Sequence, residues 1–281
     1  VLYDAVQAVG IDFCPRLGVS IPVGKDSMSM GMSWRSDRNE NEPEHETRTV
    51  TAPVSPIVSG FAPVANVSQT WTPTLRMLDD SCLLLVDLGH GRQRLGGSAL
   101  AQVFREVGTE APDVEEPEVL RAFFSAMNIM KQMHAGMPHS APLVHAYHDR
   151  SDGGLLATVL EMSFAGRLGL DMDITGILHD TPMAALFNEE LGAVLQVRVK
   201  DVSAVTSVLT SMGVPSNIIH TVASVRGDEQ INIKCRGETL LSSTRAALQK
   251  AWADTSFRMQ SLRDNPESVS YTHLRAHETS L

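Results

Sequence analysis

The segment His148-Asp149-Arg150-Ser151-Asp152-Gly153-Gly154 sets carboxylates, a hydroxyl and two glycines between an apolar run at 143–147 and a helix-like run at 155–165. A strand that ends in a polar glycine turn and enters a helix points free N–H groups and the positive end of the helix dipole at the turn, an arrangement that suits phosphate. Carboxylates beside it suit Mg²⁺ shared with phosphate oxygens. On this reading Asp149 holds the cation and Ser151 meets a phosphate oxygen. Gly153 and Gly154 then let the backbone come close to the ligand where a Cβ would intrude. The bland alternative is an Asx-type N-cap for the following helix.

A second turn, Ile21-Pro22-Val23-Gly24-Lys25-Asp26-Ser27, repeats the chemistry with a lysine added. Lys25 after Gly24 offers phosphate a compact cation, and Asp26 offers a metal or an amide another carboxylate. A surface Lys25–Asp26 ion pair of little worth competes with that reading. The Walker spacing G-x-x-x-x-G-K-[ST] is absent. Arg92, Arg94 and Gly96-Gly97-Ser98 make a third, weaker anion-friendly turn. Two strong turns in one chain make a nucleotide phosphate the leading ligand. His145 and His148 invite zinc, yet positions three apart on a strand face opposite sides, so His148 is expected to be packed or hydrogen-bonded instead. Asn188-Glu189-Glu190 reads equally as a polar loop or an interface element.

The elements that must carry these turns follow from periodicity. Residues 1–9 read as the end of a helix with Leu2, Ala5, Val6 and Val9 on one face, and 19–23 as the strand that delivers Gly24 and Lys25. Residues 33–48 are a polar loop or hairpin tip, with Met28, Met30 and Met32 alternating toward a core before and into it. Residues 49–67, with Pro53, Pro56 and Pro63, suit edge strands. A new domain is expected near Ser81, opening with a strand at 82–88 and a helix at 98–107. A helix from about 113 follows, whose core face is Leu120, Phe123, Phe124, Met127 and Met130. Further strands are expected at 168–174, 193–199, 219–225 and 230–235, with helices at 184–187, 202–212 and 243–259. The alternation predicts α/β or α+β architecture with helices packed on one sheet.

Composition narrows the function classes. The 281 residues carry 23 basic and 33 acidic side chains, a formal charge of −10, so no broad basic face exists for a nucleic-acid backbone. Aromatic content of 5% leaves little for base stacking. Cys14, Cys82 and Cys235 are odd in number and widely spaced, which fits small buried residues in a reducing, cytoplasmic compartment. Apolar runs fall far short of the ~20 residues that span a bilayer, and no signal peptide opens the chain. It begins at Val1 already in helical pattern, so it is expected to be a piece of something longer.

With these turns in view, the chain resembles the phosphoribosylformylglycinamidine synthase family, in the second half of its synthetase region. The matching words are Leu2-Tyr3-Asp4-Ala5-Val6, the run from Ile21 through Met30, Leu95-Gly96-Gly97-Ser98-Ala99-Leu100-Ala101-Gln102, His148 through Leu155, Leu186-Phe187-Asn188-Glu189-Glu190-Leu191-Gly192-Ala193-Val194, and Leu262-Arg263-Asp264-Asn265-Pro266. The resemblance implies an aminoimidazole-ribonucleotide-synthetase-like fold: residues 1–80 as the end of an N-terminal α+β domain, 81–236 as a C-terminal α/β domain, 237–267 as a helical tail, and 268–281 as a non-native tail. It also implies that Asp149 ligates Mg²⁺ and Ser151 contacts ATP or ADP, with the remaining metal ligands and a glutaminase domain supplied outside this chain. The implied reaction turns an amide into an amidine: ATP phosphorylates the formylglycinamide oxygen, and ammonia from glutamine displaces phosphate. Paired nucleotide sites in the family can be unequal, so a structural nucleotide in this half is the competing implication.

Overall fold

The computed structural model describes residues 2–25, 30–35, 47–53, 55–64, 66–136 and 141–265. The chain divides into two compact units, Val1–Ala65 and Asn66–Leu281. Asp26 and Met28, and the tail at 268–281, lie outside the described residues.

The first unit opens with α1 (Leu2–Gln7), which runs through a wider π turn (Ala8–Phe13) into α2 (Cys14–Leu17), closed by Gly18 at φ 76°. Cys14 is buried, and α1 buries no residue, so the expected apolar face of 1–9 has no core of its own here. The expected strand at 19–23 is not present: 19–25 is irregular. Its strands are instead β1 (Gly31–Arg35) and β2 (Thr47–Thr51), an antiparallel pair with Met32 opposite Val50. Met30 and Met32 are exposed, not core-facing, because a two-stranded ribbon has no second layer to bury them. Residues 55–64 are irregular where edge strands were expected, as the prolines that interrupt a ladder require.

The second unit is a seven-stranded sheet. Its strands are β3 (Ser81–Asp87), β4 (Ala146–Asp149), β5 (Gly169–Asp173), β6 (Gly192–Arg198), β7 (Ile219–Arg226), β8 (Gln230–Cys235) and β9 (Glu238–Thr244). They lie in the order β4-β6-β3-β7-β5-β8-β9, with every neighbouring pair antiparallel except β5 and β8. The helices are α3 (Ala99–Val103), α4 (Pro117–Gly136), α5 (Gly154–Gly166), α6 (Pro182–Phe187), α7 (Val202–Ser211) and α8 (Arg245–Arg263).

Helices cover both faces of the sheet. Period-2 alternation in β3 sends Leu83 and Leu85 into one core with Leu155, Val159 and Met162 of α5 and with Leu248 of α8. It sends Cys82, Leu84 and Val86 into the other, with Phe123, Met127 and Met130 of α4 and Val205 and Leu209 of α7. A strand buried on both faces must read as a continuous apolar run, and β3 does. Phe124, expected in the core, is 53% exposed, since one step along a helix turns a side chain about 100° off the buried stripe. β9 was missed, and its pairing with β8 carries the sheet beyond residue 236. All three cysteines are free and buried; burial, and then the charge of Asp80, pushes the Cys82 thiol up. Among the described residues no helix is long and apolar enough to cross a membrane.

The β7–β8 turn is tied by an exposed fork. Arg226 Nε and Nη2 donate to Asp228 at 2.8 and 2.7 Å, and Nη1 donates to Asp171 at 2.6 Å. Hydrogen bonding from Arg226 holds the Asp228 carboxyl down from 3.8 to about 2. A depressed carboxylate contributes its stabilisation above its unfolded value and loses it as pH falls through the folded one. Asp228→Asn should therefore flatten the pH dependence of unfolding between about 4 and 2, read as melting temperature against pH.

Candidate functional site

The β4–α5 turn sits at the end of an edge strand. Ala146, Tyr147, His148 and Asp149 pair with Gln196, Leu195, Val194 and Ala193 of β6, so the strand is held to its last residue and releases Asp149 at the rim. Its carboxylate is 69% exposed and lies 3.9 Å from His148 Nδ1. Ser151 and Asp152 are exposed as well, and among the described residues the Ser151 hydroxyl meets no partner. Hard oxygen donors facing solvent fit Mg²⁺, which keeps several waters and takes only one or two carboxylates plus phosphate. Among the described residues no group of three metal-ligating side chains exists. Tyr147, pushed up to about 12 by burial and then by the Asp149 charge, stays a neutral phenol beside the turn.

Arg150, between the exposed pair, turns inward. It is buried and its Nη2 donates to Asp87 Oδ1 at 2.6 Å and to Leu191 O at 2.8 Å, while Nε donates to Glu190 O at 2.5 Å. Asp87, at the end of β3, also accepts from the amides of Gly89 and Gly91 at 3.3 and 2.8 Å. A bidentate-capable cation spans three strand ends in this way, and it lets its neighbours Asp149 and Ser151 face out. Asp87 went unnoticed in the sequence reading; its one signal there is an acid closing an apolar run two residues before Gly89.

The glycines fit the turn against the rest of the second unit. Gly154 has φ +69°, and a Cβ there would stand 2.6 Å from Asn188 O and 2.8 Å from Leu186 O. The backbone that approaches closely there is the end of α6. Gly153, at φ +84°, donates its N–H to Glu189 Oε1 at 2.8 Å, and the same oxygen accepts from Ala99 N at 2.8 Å. Glu189 thus occupies the anion position at the starts of α5 and α3 together. Glu190 is fully buried and takes Arg94 Nε at 2.6 Å, Nη2 at 2.8 Å and the Arg94 backbone N at 3.2 Å. These carboxylates, left open between loop and interface, are structural ties of the second unit.

The Arg92–Arg94 turn borders a cleft of about 510 Å³ lined by residues 92–96 and 108–110. Its guanidinium groups are already matched: Glu115 takes Arg92 at 2.8 Å and Arg94 at 2.7 Å. That weakens it as an anion site. His145 is buried, and burial followed by the charges of Arg198 and Arg76 lowers its affinity for a proton. His148 is half-buried with both ring nitrogens engaged, as expected, by Asp149 O at 2.8 Å and Glu161 Oε2 at 2.9 Å. Gly24 and Lys25 lie exposed in the first unit, where a Cβ at Gly24 would meet nothing within 4 Å.

The second unit is thus an α/β domain: a mixed sheet with helices on both faces and a polar turn at the end of its edge strand. The chain belongs to the AIR synthase related protein family, whose C-terminal domain matches residues 80–231; the FGAR-AT PurM_N-like domain matches residues 1–63. A phosphoribosylformylglycinamidine synthase of Schizosaccharomyces pombe is 43% identical over 271 residues, which cover 95% of this chain and 19% of that protein. The chain therefore spans about a fifth of the length of that relative. Among solved structures, Thermotoga maritima PurL complexed with ATP is 12% identical, covering 72% of this chain and 28% of that one at a TM-score of 0.48. The hydrogenase maturation protein HypE of E. coli is 17% identical, covering 60% and 50% at a TM-score of 0.39.

Proposed function

We propose that the chain is part of an ATP- and glutamine-dependent ligase that converts formylglycinamide ribonucleotide to formylglycinamidine ribonucleotide in purine synthesis. In this reading the β4–α5 turn holds the phosphates of ATP or ADP through Mg²⁺. The observation that carries it is the exposed Asp149 carboxylate beside the Ser151 hydroxyl, which meets no partner among the described residues, in a chain 43% identical to a phosphoribosylformylglycinamidine synthase. Asp149 would hold the metal and Ser151 a phosphate oxygen, while Arg150 fixes the turn from beneath. Mg²⁺, when bound, supplies neutralising charge to the phosphates. Lys25 keeps the role of a phosphate cation on its type and its place after Gly24. The N-terminal synthetase half and the glutaminase domain are contributed by other parts of the same polypeptide.

A second reading, a nucleotide that clamps the scaffold without turning over, is favoured by Glu189. The Gly153 and Ala99 amides that would neutralise a transferring phosphoryl group are already bonded to its carboxylate. Asp149→Ala in the full-length protein separates the two. If the turn is catalytic, kcat at a permissive temperature should fall about a hundredfold or more. If it is structural, kcat should hold while the stabilisation by ADP, about 2.7 kcal/mol at a hundred times Kd, disappears from the melting curve. Unchanged kcat together with unchanged ADP stabilisation would end both readings.

A further inference from the structure

We propose that His145, His134 and Arg198 form an anion site at the start of β4, at the far end of that strand from the β4–α5 turn, and that it takes a phosphate-type oxyanion. Three nitrogens of these side chains, His145 Nε2, His134 Nδ1 and Arg198 Nε, are buried with no hydrogen-bond partner among the described residues. His145 as a whole is only 7% exposed. Buried polar atoms are almost always bonded, to protein or to something held between them. One acceptor with several oxygens satisfies orphaned nitrogens from three neighbouring elements at once.

Gln196 of β6 fixes where these groups stand. Its main-chain oxygen accepts from the His145 amide at 2.8 Å, and its side chain grips the main chain of Arg76, accepting from N at 2.9 Å and donating to O at 2.7 Å. Arg198 follows two residues on, on the same side of β6 and at the last position of the strand. His134 stands in the last turn of α4, whose Met130 shares a core with Val144, the neighbour of His145. The charges agree with this placement. After burial, the charges of Arg198 and Arg76 lower the affinity of His145 for a proton, Asp201 opposes them, and His134 adds to them. Two guanidinium groups against one carboxylate make a locally positive place in a chain of net charge −10. Arg76 is exposed and Arg198 and His134 are half-buried, so the group opens to solvent on one side. Guanidinium N–H groups with a fixed positive charge suit phosphate oxygens. A neutral imidazole carries one N–H, and setting it on the orphaned nitrogen is enough, so no side chain has to change its protonation. The site lies roughly 13 Å along β4 from Asp149 and stands whether or not the β4–α5 turn holds a nucleotide.

The test uses the full-length protein with Mg²⁺ and ADP in excess, to fill nucleotide sites. Inorganic phosphate is titrated against chloride at equal ionic strength by calorimetry, with melting temperatures measured in both salts. Arg198→Met and His145→Leu should each weaken phosphate binding about tenfold or more, the scale of a lost hydrogen bond to a charged group. Arg198→Lys, which keeps the charge but not Nε, should fall between Arg198→Met and the parent. In chloride His145→Leu should melt at or above the parent temperature, because it removes a buried donor that has no partner there. Ribose 5-phosphate is titrated alongside: tighter binding than inorganic phosphate assigns the site to a phosphate ester, weaker binding to the free ion, and either upholds it. A parent that shows no phosphate response overturns the proposal. So does phosphate binding that Arg198→Met, Arg198→Lys and His145→Leu all leave at the parent value.

Discussion

Glu190→Ala should lower the melting temperature of the sheet-bearing unit by roughly 10 °C. The Glu190 carboxylate is fully buried, and the Arg94 side chain that pairs with it is only 12% exposed. Hydrogen bonding to Glu190 is the foremost reason that Arg94 holds its proton more firmly than a free guanidinium. Removing one partner leaves a buried charge without compensation, which costs about 3–5 kcal/mol. Glu115 on the other side of Arg94 recovers a part of that, since it meets Nη1 at 2.7 Å. In a domain of this size each kcal/mol moves the midpoint about 2–4 °C. Glu190→Gln, which keeps the shape and one acceptor, should fall between the two proteins. Thermal unfolding with no shift beyond a degree or two would show that the pair adds nothing net.

Gly154→Ala should be nearly as damaging, by a different route. Its left-handed φ costs a residue with a Cβ about 1–3 kcal/mol, and the added atom would overlap the backbone at the end of α6, at 186–188, which overpacks the junction by about 1–3 kcal/mol more. Gly97 provides the control. Its φ is +73° but a Cβ there would meet nothing within 4 Å. Gly97→Ala therefore carries the conformational part alone, and the difference between the two variants in urea unfolding measures the overlap. Equal losses would mean that the end of α6 yields freely, and that Gly154 is needed only for its backbone angle.

The second unit was largely legible in the sequence because its elements are strongly patterned. The apolar run at 82–88, the short helix capped by Thr181 at its start, and the strands at 193–199 and 230–235 all appear within a residue or two of their expected places. Periodicity failed where partners decide. The first unit's Met30 and Met32 alternate as a core strand would, yet their ribbon has no layer against it among the described residues. β9 carries Glu238, Thr239 and Ser242 through Thr244 on an exposed edge, so it has little apolar signal, and pairing with β8 alone makes it a strand. At the site, the residues were identified but not their directions. Arg150 looked like one more polar residue of the turn and is its buried anchor, and Glu189 gave no sign that it would take the amides reserved for phosphate. Those facts depend on partners 36 to 90 positions away along the chain, which local spacing does not report.

The order of strands also bears on how this protein comes into being. β3 lies inside the sheet between β6 and β7, but on a ribosome it emerges 111 residues before β6 and 138 before β7, counted from Ser81 to Gly192 and Ile219. Its seven buried positions must wait, without a strand partner, through the synthesis of α3, α4, β4, α5, β5 and α6. Such distant pairing slows folding and exposes nascent chains to aggregation, so a growing polypeptide of this type has a built-in need for chaperone cover until Arg198 and Arg226 have both been made.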